Sequence, residues 1–160
     1  MRAFLDGYHR LLRWLMAGAM AILIIPVSLQ IVSRYTALIP AWIWTEELSR
    51  FLFIWMIMLG SMIAVREGTH FVVDVWPVLP PRAQAALHIV ADFFVLVFAL
   101  VFTWWGVEFV RFGWNQTSEL AELPMIYIFA AWPIAGVTWI AFLGEAFVRN
   151  FRVLAGRAAP

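Results

Sequence analysis

WLMAGAMAILIIPVSLQIV, residues 14–32, runs 19 residues without a charge, and only Ser28 and Gln30 in it are strongly polar. A helix rises about 1.5 Å per residue and the hydrocarbon core of a bilayer is about 30 Å thick, so this stretch is long enough to cross one. Three arginines, Arg2, Arg10 and Arg13, precede it, as they would in a secretory signal. A signal peptide, however, has an apolar region of about 7 to 15 residues leading to a small-residue cleavage site. Here the run is longer and ends in Arg34-Tyr35, so it is expected to stay in the chain as an anchor. Pro26 is compatible with that, because neighbouring helices and local adjustment can satisfy the freed carbonyl.

Three more stretches follow. PMIYIFAAWPIAGVTWIAFLG, 124–144, has 21 uncharged residues. The core FLFIWMIMLGSMIAV, 51–65, has only 15, but extending it back to Trp42 takes in Glu46, Glu47 and Arg50 at headgroup level, where long side chains can snorkel. Trp42 and Trp44 suit an interfacial aromatic belt. A further span begins after Pro80-Pro81, proline being tolerated in a first helical turn. The expectation is an all-α integral membrane protein, a single membrane domain over 1–160, with spans at about 14–33, 43–65, 85–108 and 124–146. Segments 35–47 and 67–81 are candidates for lying in the interface.

Composition agrees. Of 160 residues 64% are hydrophobic and 13% charged, where a soluble domain carries about 25% charged residues. With no cysteine, there is no disulfide framework, thiolate metal site or cysteine nucleophile, and no basic tract points to nucleic acid. All eleven basic residues are arginine. Arg2, Arg10, Arg13, Arg66, Arg82, Arg149, Arg152 and Arg157 fall on one side of the four spans and Arg34, Arg50 and Arg111 on the other. The positive-inside rule makes the first side cytoplasmic, so both termini are expected there.

Little in the chain suggests chemistry. Ionisable residues deep in a membrane are costly and functional by default, yet His9, His70 and His88 all fall near span boundaries, and none faces a second histidine at mid-span as axial haem ligation requires. Asp92 is the deepest acid, roughly 10 Å in. Its structural reading, a pair with His88 four residues earlier or with a partner helix, outweighs an ion site, which needs several convergent groups. Local pairs are likewise expected for Asp6 with Arg10, Glu108 with Arg111 and Glu145 with Arg149.

The densest polar cluster is Trp44-Thr45-Glu46-Glu47-Leu48-Ser49-Arg50. Helical spacing sets both acids beside Arg50, and if Thr45 caps the helix the acids sit in its first turn, where the macrodipole favours them. No nucleophile or metal-ligand partner accompanies them, so the structural reading prevails. Gly60 with Ala64, and Ala131 with Ala135, are small-residue pairs suited to close helix packing. The connection 66–82, with Phe71, Trp76 and three prolines, is too apolar for water alone and fits the membrane interface or a partner.

WTEELSRFLFIWMIMLGSMIAVREGTHFVVD, 44–74, resembles the signature of the small, four-helix membrane subunit of TRAP transporters, the tripartite ATP-independent periplasmic transporters, of DctQ type. The matching positions are Arg34, Trp44, Glu46, Glu47, Arg50, Trp55, Gly60, Ala64, Arg66, Gly68, His70 and Asp74, then Leu123-Pro124 and Trp132-Pro133-Ile134-Ala135-Gly136. The resemblance implies a bacterial or archaeal inner-membrane protein without cofactor, catalytic residue or metal. Its partners would be a large transport subunit of roughly twelve helices, an extracytoplasmic solute-binding protein and membrane lipid. The system would take up a carboxylate-bearing solute on a sodium or proton gradient, with this chain as scaffold and the matching residues serving structure or subunit contact. Against it stand a small autonomous transporter working as an oligomer, with Glu46, Glu47 or Asp92 as coupling site, and a membrane anchor of a redox enzyme, which would carry haem on His70 or His88.

Overall fold

The structure, a computed structural model, describes residues 2–36, 40, 42, 44–68, 80–119 and 121–155. They form α1 (Arg2–Tyr35), α2 (Trp44–Glu67), α3 (Pro81–Gly113), the single turn α4 (Ile126–Phe129) and α5 (Ala131–Leu154). Among the described residues there is no strand, only an isolated bridge between Thr117 and Pro124. Four helical stretches are long and apolar enough to cross a membrane: Ala3–Tyr35, Trp44–Glu67, Ala83–Gly113 and Ile126–Leu154. The expected fold class is therefore what the chain adopts. Thirty-four residues of α1 reach about 51 Å at 1.5 Å per residue, so this helix exceeds the hydrocarbon core.

Proline and glycine set the breaks. α1 runs unbroken through Pro26. α3 begins within the Pro-Pro pair, earlier than the expected span at about 85: Pro81 opens the helix, and the Pro80 carbonyl accepts from Ala83 N–H at 2.9 Å and Gln84 N–H at 3.1 Å. Pro133, in the first turn of α5, cannot donate to the carbonyl of Phe129 four residues back, and α4 ends at that residue. Gly68 follows α2 at φ 68, the left-handed conformation that closes helices and that glycine adopts without a Cβ penalty.

Within 35–47, the first interfacial candidate, Trp44 to Glu47 form the first turn of α2. Of the other interfacial candidate, 69–79 lies outside the described residues.

Two hairpins, α1 on α2 and α3 on α5, join mainly where α2 meets α5. The core comprises Leu5, Leu12, Leu59, Met62, Ala99, Ala135, Trp139 and Phe142. α3 and α5 approach backbone to backbone. A Cβ on Gly106 would stand 2.8 Å from the Pro133 nitrogen, and one on Gly136 would run into the Thr103 hydroxyl. α5 is the central helix, with 44% of its most apolar stretch buried, against 6% for α1, whose outer face is bare. The exposed face of α3 is aromatic, with Phe94, Trp104, Trp105 and Phe112 each at least 60% exposed.

Candidate functional site

The polar side chains gather at the two ends of the helices, and each end is tied differently. At one end Arg66, from the last turn of α2, reaches two other helices: its guanidinium donates to Asp6 of α1 at 2.5 Å and to Glu145 of α5. Its side chain is 15% exposed and that of Glu145 12%, while Asp6 stays in water at 61%. The guanidinium also stands 5.4 Å from the ring centroid of Phe142. Beside it His9 Nε2 lies 3.5 Å from Glu67. One turn deeper the Tyr8 and Thr138 hydroxyls are 2.9 Å apart. Since Thr138 donates to the Ile134 carbonyl, Tyr8 is the donor between them. These bonds place the start of α1 and the ends of α2 and α5 at one end of the bundle.

The local pairs expected for Asp6 with Arg10 and Glu145 with Arg149 are thus corrected: both carboxylates converge on Arg66. Burying a guanidinium is costly unless its charge is matched and its donors are used, which an arginine's fork allows from two sides. Glu108 with Arg111 does form locally, at 2.8 Å. Asp92 accepts from Asn150 Nδ2 of α5 at 3.3 Å, a link between the two helices of the second hairpin.

At the opposite end the acids of the Trp44–Arg50 cluster part company. Glu46 and Arg50 face outward, more than 60% exposed and 4.0 Å apart. Glu47 turns inward, is buried, and accepts the Ala121 N–H at 2.6 Å. It latches the start of α2 to the connection before α4. Consecutive helical residues point about 100° apart, so both acids cannot flank Arg50 equally. Both lie in the first turn of α2, but Thr45 is already helical and its hydroxyl donates to the Trp42 carbonyl at 2.7 Å, so it does not serve as the cap. In the latched connection Ser118 N–H donates to the Leu123 carbonyl at 2.8 Å and Met125 N–H to that of Gln116 at 2.9 Å. Glu122 takes a positive φ of 52 to make the turn.

Two further bonds hold this end. Gln30 of α1 donates to the Ser49 hydroxyl at 2.9 Å, and Trp55 Nε1 to the Tyr127 carbonyl at 2.8 Å. Gly60 faces Met16 of α1 at ordinary contact distance, and Ala131 and Ala135 are fully buried. Trp44 is stacked on Trp42, and Arg34 is exposed at the end of α1. His70 and Asp74 lie outside the described residues. The sequence-level reading missed Gly106, Pro133 and Gly136 as the tight crossing. A signal was there in retrospect: Thr103 and Gly106, like Pro133 and Gly136, are three apart and share a helix face.

Among the described residues no group of three His, Asp or Glu could hold a metal ion. What the arrangement offers is a body pinned at both ends by polar ties, with wide apolar faces between.

Comparison with known proteins fits that body. The family model of the DctQ component of tripartite ATP-independent periplasmic transporters matches residues 23–153. The chain belongs to this family. A TRAP transporter small permease protein of Haemophilus influenzae is 32% identical over 145 residues, covering 89% of each chain. The sialic acid TRAP transporter small permease protein SiaQ of Vibrio cholerae is 27% identical over 143 residues, 86% of this chain and 79% of that one. The isethionate TRAP transporter permease protein DctMQ of Oleidesulfovibrio alaskensis is 29% identical over 152 residues, but this chain spans only 23% of its length. The DctQ-family chain is thus a small permease subunit of a TRAP transporter and a multi-pass membrane protein.

Proposed function

We propose that this DctQ-family subunit is a scaffold without a reaction of its own, held beside a large transport subunit of about twelve helices in a bacterial or archaeal inner membrane. The large subunit moves a carboxylate-bearing solute, delivered by a periplasmic binding protein, on an ion gradient. The observation that carries this reading is the division of the surface. The buried charged groups, Arg66 with Glu145 at one end and Glu47 at the other, are engaged in holding helices together, while α1 and α3 present long uncovered apolar faces. A transport pathway needs the reverse, convergent polar groups lining the interior. That the matched region is part of a much longer chain in DctMQ supports assembly with a larger partner.

Orientation follows the arginines: the Arg66 end is cytoplasmic and the Glu47 end periplasmic. Arg34, Trp44, Glu46 and Arg50 then form an outward-facing rim available to the large subunit or the binding protein, while Glu47, Trp55, Gly60 and Arg66 hold the body in shape; Gly68, His70 and Asp74 belong to the connection after α2. The test is solute flux in liposomes. This chain alone is expected to give none, and flux should appear when the large subunit is added with the binding protein and an ion gradient. Flux from the chain alone would refute the scaffold reading.

A further inference from the structure

Residues 14–33 of α1 carry no charge and rise about 30 Å, the thickness of the hydrocarbon core. Arg13 and Arg34 therefore mark the two headgroup levels, and Arg10, one turn before Arg13, stands just outside the first of them. Arg10, Arg13 and Trp14 share one side of α1 at spacings of three and four residues, and all three are exposed. A helical side chain leans toward the start of its helix, so both guanidinium groups reach away from the hydrocarbon. Below them, on the same side and again in steps of three or four, come Ala17, Gly18 and Ala21. These too are exposed, and a Cβ on Gly18 would meet nothing within 4 Å. The outer side of α1 thus presents two cations and an indole at headgroup level, with a shallow track of small residues beneath.

The two cations are not matched within the protein. Arg10 and Arg13 make no hydrogen bond or ion pair among the described residues, in contrast to Arg66, which is held by Asp6 and Glu145. Asp6 is the one acid of α1, and it turns to Arg66 rather than to Arg10 four residues on. Glu67, from the end of α2, stands against His9. What remains on this side is uncompensated positive charge, where an ammonium headgroup would find no carboxylate to receive it. Each guanidinium fork can instead take phosphate oxygens. Basic residues just outside a membrane span are a common setting for anionic headgroups.

We infer that the outer side of α1 holds an anionic glycerophospholipid from the leaflet at the Arg66 end. Its phosphate sits on Arg10 and Arg13, its glycerol beside Trp14, and one acyl chain along Ala17, Gly18 and Ala21. A free phosphate would satisfy the arginines alone and leave the track of small residues uncovered. The bound lipid covers part of the helix that the rest of the bundle leaves barest. This goes beyond the scaffold reading and stands whether or not the chain transports.

The test is native mass spectrometry of the purified full-length chain, delipidated in mild detergent and titrated with dioleoyl phosphatidylglycerol, dioleoyl phosphatidylethanolamine or inorganic phosphate. One phosphatidylglycerol is expected to be retained in preference to phosphatidylethanolamine, and millimolar phosphate should not displace it. Arg10→Gln and Arg13→Gln should each weaken its binding about fivefold. Arg152→Gln removes an equal charge from the exposed end of α5 on the same side of the bundle and should leave binding unchanged. Ala17→Phe, which keeps every charge and fills the track, should also lose the lipid. Equal losses in all three arginine variants would reduce the effect to net charge and overturn the site, as would full retention in Ala17→Phe. Displacement by phosphate would make it a soluble-anion site. If the Arg10 and Arg13 variants kept the lipid but no longer brought the large subunit with them from the membrane, the arginines would serve a protein contact and the lipid assignment would fall.

Discussion

Replacing Gly106 by alanine tests the packing most sharply, because the obstacle is backbone. A Cβ there would lie 2.8 Å from the nitrogen, 2.9 Å from Cδ and 3.2 Å from Cα of Pro133. Carbon contacts settle at about 3.5 to 4.0 Å, so α3 and α5 must separate by roughly 0.7 Å. Neither a helix backbone nor a proline ring can rotate aside to relieve the overlap. Overpacking of this kind costs about 1 to 3 kcal/mol. Gly18→Ala is the internal reference: a Cβ there meets nothing within 4 Å, and removing an interior helical glycine stabilises by about 0.5 to 1 kcal/mol. That gain applies to both substitutions and cancels, so the two variants should differ by the overpacking cost alone, about 1 to 3 kcal/mol. Reversible unfolding in mixed detergent micelles, followed by the fluorescence of the ten tryptophans, measures that difference. If Gly106→Ala unfolds at the same denaturant concentration as Gly18→Ala, the close crossing of α3 and α5 is wrong.

Further outcomes follow from the two polar ends. Arg66→Met should destabilise by roughly 1 to 3 kcal/mol, less than a fully buried pair would because Asp6 is in water. Adding Glu145→Gln should recover part of that loss, and strict additivity in the double-mutant cycle would argue against their contact. Glu47→Ala removes a charge-assisted bond to Ala121 N–H, worth about 1.5 to 3 kcal/mol. Amide exchange around residue 121 should quicken markedly, less so in Glu47→Gln, and unchanged exchange would mean that Glu47 does not hold the connection. Because the chain has no cysteine, Gln116→Cys gives a single label. It should react with an impermeant thiol reagent from the periplasmic side, and labelling only from the cytoplasm would invert the orientation.

How much of this was legible in the sequence depended on whether the cause was local. Uncharged length gave the spanning helices, since a bilayer imposes its thickness on any crossing segment. The Pro80-Pro81 pair marked a start because proline acts on its own helix. The ties of Arg66 were not legible, because nothing near it in sequence announces Asp6, 60 residues away, or Glu145, 79 away. The rule that neighbours at helical spacing pair favoured Arg10 and Arg149, and burial of Arg66 outweighed it. Glu46 and Glu47 are the same residue type side by side, and which of them turned inward was decided by a connection 74 residues on. Gly106 was hidden for the same reason: an interior glycine becomes informative only once its partner, Pro133, is known.

The central claim is that this subunit works by assembly, and co-purification tests it most directly. The chain, tagged and expressed at its native level, is extracted from its own membrane in mild detergent, and the accompanying proteins are identified and counted by mass spectrometry. The account predicts a near-stoichiometric, very hydrophobic polypeptide of about twelve spans. A chain recovered alone, or only with copies of itself, under conditions that keep other membrane complexes intact would contradict it.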